Sequence, residues 1–255
     1  MKLGIMQPFF FPYIGYFQAI NAVDKYILYD RLNFIKDRWM NRNRILVVNG
    51  QPKFFTIPLA NKSSYNKIYQ IELEDTDYWR EKLCRNIMLN YKKSPYFEEI
   101  YPIIKKIIFY KTNFLNELNN FCIVELCSYL EIKTIIETNT TQYEKIEEKL
   151  DQYENDLEQG YPQYDLTLMQ KKVIRVFEIC KQENAETFVN AIGGTALYDK
   201  KEFKKNGIDV TFVQTNSYTY KQRSDNFFPG LSIIDVLMNC GKEGTQKLLD
   251  KCTLI

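Results

Sequence analysis

The chain contains no histidine. That absence removes the Ser-His-Asp triad, the Cys-His dyad, the imidazole general base and histidine-built metal sites. It also lacks any apolar run of the ~18 residues from which a transmembrane helix is recognised. Met1-Lys2 leads straight into a short apolar segment and a proline-bearing stretch, with no signal-peptide pattern. Excess charge is missing as well. Lys and Arg number 34 against 32 Asp and Glu, for a formal net charge of +2, which is no basic footprint for nucleic acid. Six cysteines (Cys84, Cys122, Cys127, Cys180, Cys240, Cys252) form no CxxC pair. Most lie in apolar windows, as buried free thiols do in a reducing compartment. The expectation is a cytoplasmic protein with no membrane segment, no nucleic-acid partner and no metal site.

What is present is ordinary in bulk: 255 residues, 45% apolar and 26% charged, enough for one large domain or two modest ones. Aromatics are abundant at 15%, through 19 Tyr and 17 Phe. The stretch from Leu3 to Arg44 organises the rest. A strand at Leu3–Met6, a loop at Gln7–Pro12, an amphipathic helix from Tyr13 to Val23 and a strand at Lys25–Tyr29 make a βαβ unit, whose ligands bind at the carboxyl ends of the strands. Asn49-Gly50, between two β-rich runs, predicts a hairpin with a type I′ turn. Ile68–Leu73 reads as a further strand. Residues 78–92, 97–110 and 114–130 carry helical spacing, and Glu131–Glu137 returns to strand.

Tyr143–Tyr164 is polar, with seven acidic residues between Glu144 and Glu158, and reads as a solvated helix and linker or as a lid. Leu166–Lys181 is an amphipathic helix with Leu166, Met169, Val173, Phe177 and Cys180 on one face and Lys171, Lys172 and Arg175 on another. Alternation then resumes with a strand at Thr187–Ala191, a helix at Leu197–Lys205, an Asn206-Gly207 cap and a strand at Asp209–Gln214. An apolar helix, Leu231–Asn239, closes the pattern. The fold class expected is α/β, a Rossmann-like parallel sheet core with a β-hairpin and a helical subdomain. The divisions are 1–75, 76–132 and 133–255.

Four segments carry candidate chemistry. Gln7, Pro8, Tyr13, Gly15 and Tyr16 form a stiff loop and helix start, able to receive a phosphate or simply to pack. Asn33, Lys36, Arg38, Arg42, Asn43 and Arg44 gather four cations within nine residues beside Trp39, which suits phosphate or carboxylate recognition or a solvated turn. Asn190, Gly193 and Gly194 end a strand, where glycines allow close backbone approach. Tyr220 and Gln222 precede Ser232 and Asp235, an S-x-x-D capping pattern. With histidine absent, Asp30 and Asp235 are the candidate general bases.

On the strand-loop-helix, Tyr13-Ile14-Gly15-Tyr16 resembles the position of the HxGH motif in the cytidylyltransferase and pantothenate synthetase superfamily, without either histidine. A broader resemblance spans residues 5–241. MQPFFFPYIGYFQAI, DKYILYDRLNFIKDRWMNRNRI, FFTIPL, YKKSPYF, NAIGGTALYD and FFPGLSIIDVLMNCG together resemble the WbqC-like protein family. Where that resemblance implies a second acidic residue after Asp30, this chain has Arg31. It implies a bacterial enzyme of O-antigen and surface-polysaccharide biosynthesis, transferring an acyl or aminoacyl group such as glycyl to the amine of a dTDP- or UDP-linked amino sugar. Other expectations left open are a nucleotidyltransferase-like enzyme without histidine and a non-catalytic sugar-nucleotide binder. No cofactor is required, but ATP and Mg²⁺ follow if the acyl donor is activated in place. A homodimer is left open.

Overall fold

Short apolar segments with two-residue alternation bury both faces when helices cover a sheet on each side. The computed structural model describes residues 1–158 and 168–255, with backbone alone at 153–158 and 168–170. Its strands are β1 (Lys2–Met6), β2 (Lys25–Leu28), β3 (Arg42–Leu46), β4 (Pro52–Thr56), β5 (Ile135–Glu137), β6 (Thr187–Ala191), β7 (Asp209–Thr215) and β8 (Cys252–Leu254). Its helices are α1 (Ile14–Asn21), α2 (Tyr78–Tyr91), α3 (Phe97–Ile108), α4 (Leu115–Tyr129), α5 (Glu144–Glu158), α6 (Leu168–Gln182), α7 (Lys200–Lys205) and α8 (Ile233–Leu249). The sheet order is β5-β2-β1-β6-β7-β8, parallel throughout except for β8. Strands β3 and β4 form a separate antiparallel hairpin. The fold class is therefore α/β with a mostly parallel sheet. Chain order reverses between β1 and β6, the switch point at which such sheets bind ligands.

Leu3, Ile27, Tyr29, Phe188, Val210 and Phe212 pack in one cluster with residues of α5, α6 and α7. Their neighbours Tyr26, Leu28, Val189 and Val213 belong to the cluster built with α1 and α8. Gly4 pairs with Tyr26 across β1 and β2, and a Cβ at Gly4 would stand 2.3 Å from the Tyr26 ring. Helices α2, α3 and α4 share the α1–α8 core through Ile87, Ile104 and Leu118, so the helical subdomain has no core of its own.

Several expectations are corrected. Ile68–Gln70 is a 3-10 turn, not a strand. At the hairpin, Gly50 alone has a positive φ, at 74°, whereas a type I′ turn needs two such residues. Gly50 N–H donates to the Val47 carbonyl and Val47 N–H to that of Gln51, which closes a three-residue loop with a glycine bulge. Arg175, placed by spacing on a face with Lys171 and Lys172 away from the apolar one, is buried. Helix α8 runs ten residues beyond Asn239, past a break at Gly241, whose φ of 63° is non-helical. The Tyr96 ring occupies the space a Gly241 Cβ would need, at 2.4 Å. The expected position Leu166 and the linker after Glu158 lie outside the described residues, and Met169 is described by its backbone alone, in α6. Among those described, no helix is long and apolar enough to cross a membrane.

Candidate functional site

The loop from Gln7 to Pro12 leaves β1 at the switch point, and nearly every carbonyl in it is held by a side chain or a distant amide. Tyr16 hydroxyl donates to Gln7 O at 2.9 Å. Asn119 Nδ2 donates to Pro8 O at 3.0 Å and to Met40 O at 2.9 Å. Asn43 Nδ2 donates to Phe10 O and Phe11 O, and Ser232 Oγ to Phe11 O at 2.8 Å. Ile233 N–H donates to Pro12 O. Phe11 sits at φ 42°, a strained region for a bulky residue, so these contacts hold an unfavourable backbone in position. Pro8, Asn43 and Tyr16 are thus buried supports of the loop. Burial raises the Tyr16 pKa well above the usual phenol value. Tyr13, which precedes α1, is 37% exposed and folds over Gly15, where a Cβ would meet its ring at 2.4 Å.

Beside this loop, β3 carries Arg42 and Arg44 two residues apart and so on one face. Arg42 lies over the Phe54 ring at 4.7 Å and Arg44 over the Trp39 ring at 5.9 Å, while Trp39 and Phe54 stack at 6.2 Å. Both guanidiniums have donors to spare. Among the described residues each Nε is buried without a partner, Arg42 meets Asp37 only at 3.5 Å, and Arg44 reaches Gly230 O only at 3.5 Å. Two planar, aromatic-backed cations with uncommitted N–H groups form a cradle for an anion. Lys36, Arg38 and Asn33 are exposed on the preceding turn.

The two candidate carboxylates differ in setting. Asp30, beyond the carboxyl end of β2, accepts from Thr140 Oγ1 and from Asn116 Nδ2 at 2.8 Å, and is 3% exposed. Arg31 follows it and reaches Thr140 and Glu144. Asp235 is fully buried on α8. Its Oδ1 accepts from Tyr91 hydroxyl at 2.7 Å, and its Oδ2 from Tyr220 hydroxyl at 2.7 Å and Gln222 Nε2 at 3.2 Å. Tyr91 hydroxyl in turn accepts from Leu46 N–H of β3. Burial raises the Asp235 pKa above the usual carboxylate range, and the three donors hold it back only in part. The capping pattern is half realised: Ser232 Oγ accepts from Ile234 N–H, but Ser232 N–H goes to Arg44 O instead of Asp235.

The Tyr220–Asp235 segment therefore packs directly on the opening loop and β3. Asn190, Gly193 and Gly194 share the carboxyl edge, because β6 runs parallel beside β1. No hydrogen bond among the described residues links them to the arginine cradle. Asn190 Oδ1 accepts from Ala191 N–H, and its side chain abuts Gly194. Sequence reasoning missed Asn116 and Asn119, amides on the buried side of a helix with an otherwise apolar stripe, and Phe54, Tyr91 and Gly230. It also missed a buried ion pair, Arg175 to Glu147 at 2.5 and 2.8 Å, joined by Tyr29 hydroxyl. Among the described residues no three His, Cys, Asp or Glu side chains are grouped to hold a metal ion. A cavity of about 750 Å³ opens between the hairpin tip and residues 220–227.

Comparison with known proteins gives a family and a relative. The sequence model of the WbqC-like protein family matches residues 7–247. An uncharacterized protein of Mycobacterium tuberculosis, Rv1507c, is 30% identical over 251 residues, covering 97% of each chain. No solved structure matches.

Proposed function

The chain belongs to the WbqC-like protein family, and from that premise we propose that it is a transferase that joins an acyl or aminoacyl group to the amine of a nucleotide-linked amino sugar. The observation that carries this proposal is the Arg42–Arg44 face, two guanidiniums backed by Phe54 and Trp39 with donors uncommitted. Such a face suits a diphosphate, whose oxygens accept paired N–H donors. In the reaction the amine lone pair forms the new C–N bond as the bond from the acyl carbon to its leaving group breaks. The amine proton passes to a carboxylate. Asp30 is the carboxylate proposed, because it lies beyond a strand's carboxyl end, whereas Asp235 is enclosed by three donors. Arg42 and Arg44 hold the diphosphate and keep the sugar's amine in register. If the acyl donor is activated in place, ATP and Mg²⁺ enter as its co-reactants.

Thermal unfolding with added nucleotides tests this. UDP- or dTDP-linked amino sugars should raise Tm, and the Arg42→Ala/Arg44→Ala variant should lose most of that shift. Stabilisation by ATP or CTP alone, with none from the sugar nucleotides, would refute it.

A further inference from the structure

The hairpin that presents the arginine cradle also leads away from it to a second, wholly different surface. Arg44 lies near the middle of β3, and Val48 at the hairpin tip follows four residues later, about 13 Å along extended chain at roughly 3.3 Å per residue. The cavity of about 750 Å³ begins there. Its other wall is the segment from Tyr220 to Phe227, whose continuation at Gly230 touches Arg44. Cradle and cavity are thus connected along both walls, by β3 on one side and the 220–230 segment on the other.

The chemistry of the two ends differs. The cradle offers charge and planar N–H donors. The cavity offers neutral amides at Gln51 and Asn226, the aromatic rings of Tyr220 and Phe227, and three charged side chains, Lys221, Arg223 and Asp225. Amides carry both a donor and an acceptor, as the edge of a nucleobase does, and aromatic rings supply stacking surface. The volume falls within the range of small-molecule sites. The wall is also fixed before any ligand arrives. Gln222 is buried, donates to Phe228 O and accepts from Phe228 N–H, and Tyr220 is tied to Asp235. Arg223 donates to the Asn90 carbonyl at 2.5 Å, and Asn90 Oδ1 accepts from Val48 N–H, which joins the two walls through α2. A preformed wall spares a ligand the cost of ordering it.

We propose that this cavity is the nucleoside subsite of the ligand whose diphosphate lies on Arg42 and Arg44. The proposal rests on the sugar-nucleotide function above and adds where the base and ribose go. It also gives Asp235 a role, as the positioning residue that holds one wall of the subsite.

Calorimetric titration of the full chain with UDP and with inorganic pyrophosphate tests it. One base–aromatic stack corresponds to roughly five- to 150-fold in affinity, so UDP should bind at least about fivefold more tightly than pyrophosphate. Gln51→Trp places an indole in the cavity from an exposed position whose side chain makes no hydrogen bond among the described residues. It should reduce UDP affinity to that of pyrophosphate and leave pyrophosphate binding unchanged. Equal affinity for the two ligands in the wild-type chain, or a UDP affinity indifferent to Gln51→Trp and to Asn226→Trp, overturns the subsite while the cradle stands. If pyrophosphate fails to bind, or binds as well to Arg42→Ala/Arg44→Ala, the cradle itself is refuted and the subsite with it.

Discussion

Asp235→Leu separates a structural carboxylate from a catalytic one. In the folded chain Asp235 accepts from Tyr91, Tyr220 and Gln222, all at 3.2 Å or less. Leucine matches the volume but accepts nothing. Gln222 keeps the Phe228 carbonyl as a partner, so the groups left without an acceptor are the two tyrosine hydroxyls. Each buried donor left unpaired costs about 1–3 kcal/mol, which sets the expected loss near ~4 kcal/mol. That is a large share of a domain's usual stability of about 5–15 kcal/mol. Asp235→Asn keeps one acceptor and should cost about 1–2 kcal/mol. The sign of its pH dependence follows from the raised pKa of Asp235, of which burial is the chief cause. A carboxyl group whose folded pKa exceeds its unfolded value contributes stability that is present below about pH 3.9 and is lost as pH rises through the folded pKa. The wild type should therefore lose stability relative to Asp235→Asn as pH increases over that window. Urea unfolding followed by tryptophan fluorescence measures both effects, since Trp79 is buried and Trp39 lies in the cradle. A loss below about 1 kcal/mol for Asp235→Leu would refute the pinning role, because two buried hydroxyls left without an acceptor should cost more than that.

Two further substitutions probe the supports around the carboxyl edge. Glu147→Gln removes the charge opposite Arg175 where both side chains are about nine-tenths buried, and should cost about 3–5 kcal/mol in urea unfolding. The paired replacement Glu147→Leu/Arg175→Met should recover most of that loss, and a paired variant as unstable as the single one would show that the charge was not the cause. Asn119→Leu leaves the Pro8 and Met40 carbonyls unpaired and should cost about 2–4 kcal/mol. Because Met40 adjoins Trp39, pyrophosphate affinity should fall as well, and unchanged affinity would show that the loop and the cradle are energetically separate.

The elements legible in the sequence were those set by local pattern. The apolar run Leu3–Met6 and the β-rich run Thr187–Ala191 marked strands, and Ser232 before an apolar run marked a helix start. What escaped depends on partners far along the chain. Arg175 shares a face with Lys171 and Lys172 by spacing, yet it turns to Glu147, 28 residues away. Asp235 fits a capping pattern by sequence, but Tyr91, 144 residues distant, claims its carboxylate instead. The type I′ turn was misjudged because Asn-Gly also serves a bulged loop with one left-handed residue, and sequence does not distinguish the two.

The same logic explains why the opening loop matters in a way its side chains do not announce. Gln7, Pro8 and Tyr16 read either as part of a helix start able to receive a phosphate or as a stiff packed connection. In the fold, the loop's carbonyls are the groups being recognised, by Asn43, Asn119 and Ser232 from three separate segments. Each of those contacts fixes a neighbour in turn. Asn43 stands between Arg42 and Arg44, Asn119 also holds Met40 next to Trp39, and Ser232 N–H binds the Arg44 carbonyl. The loop around the strained backbone at Phe11 thus works as the common anchor against which β3, α4 and the start of α8 are registered. A change that relaxes it should shift the cradle before it touches any ligand.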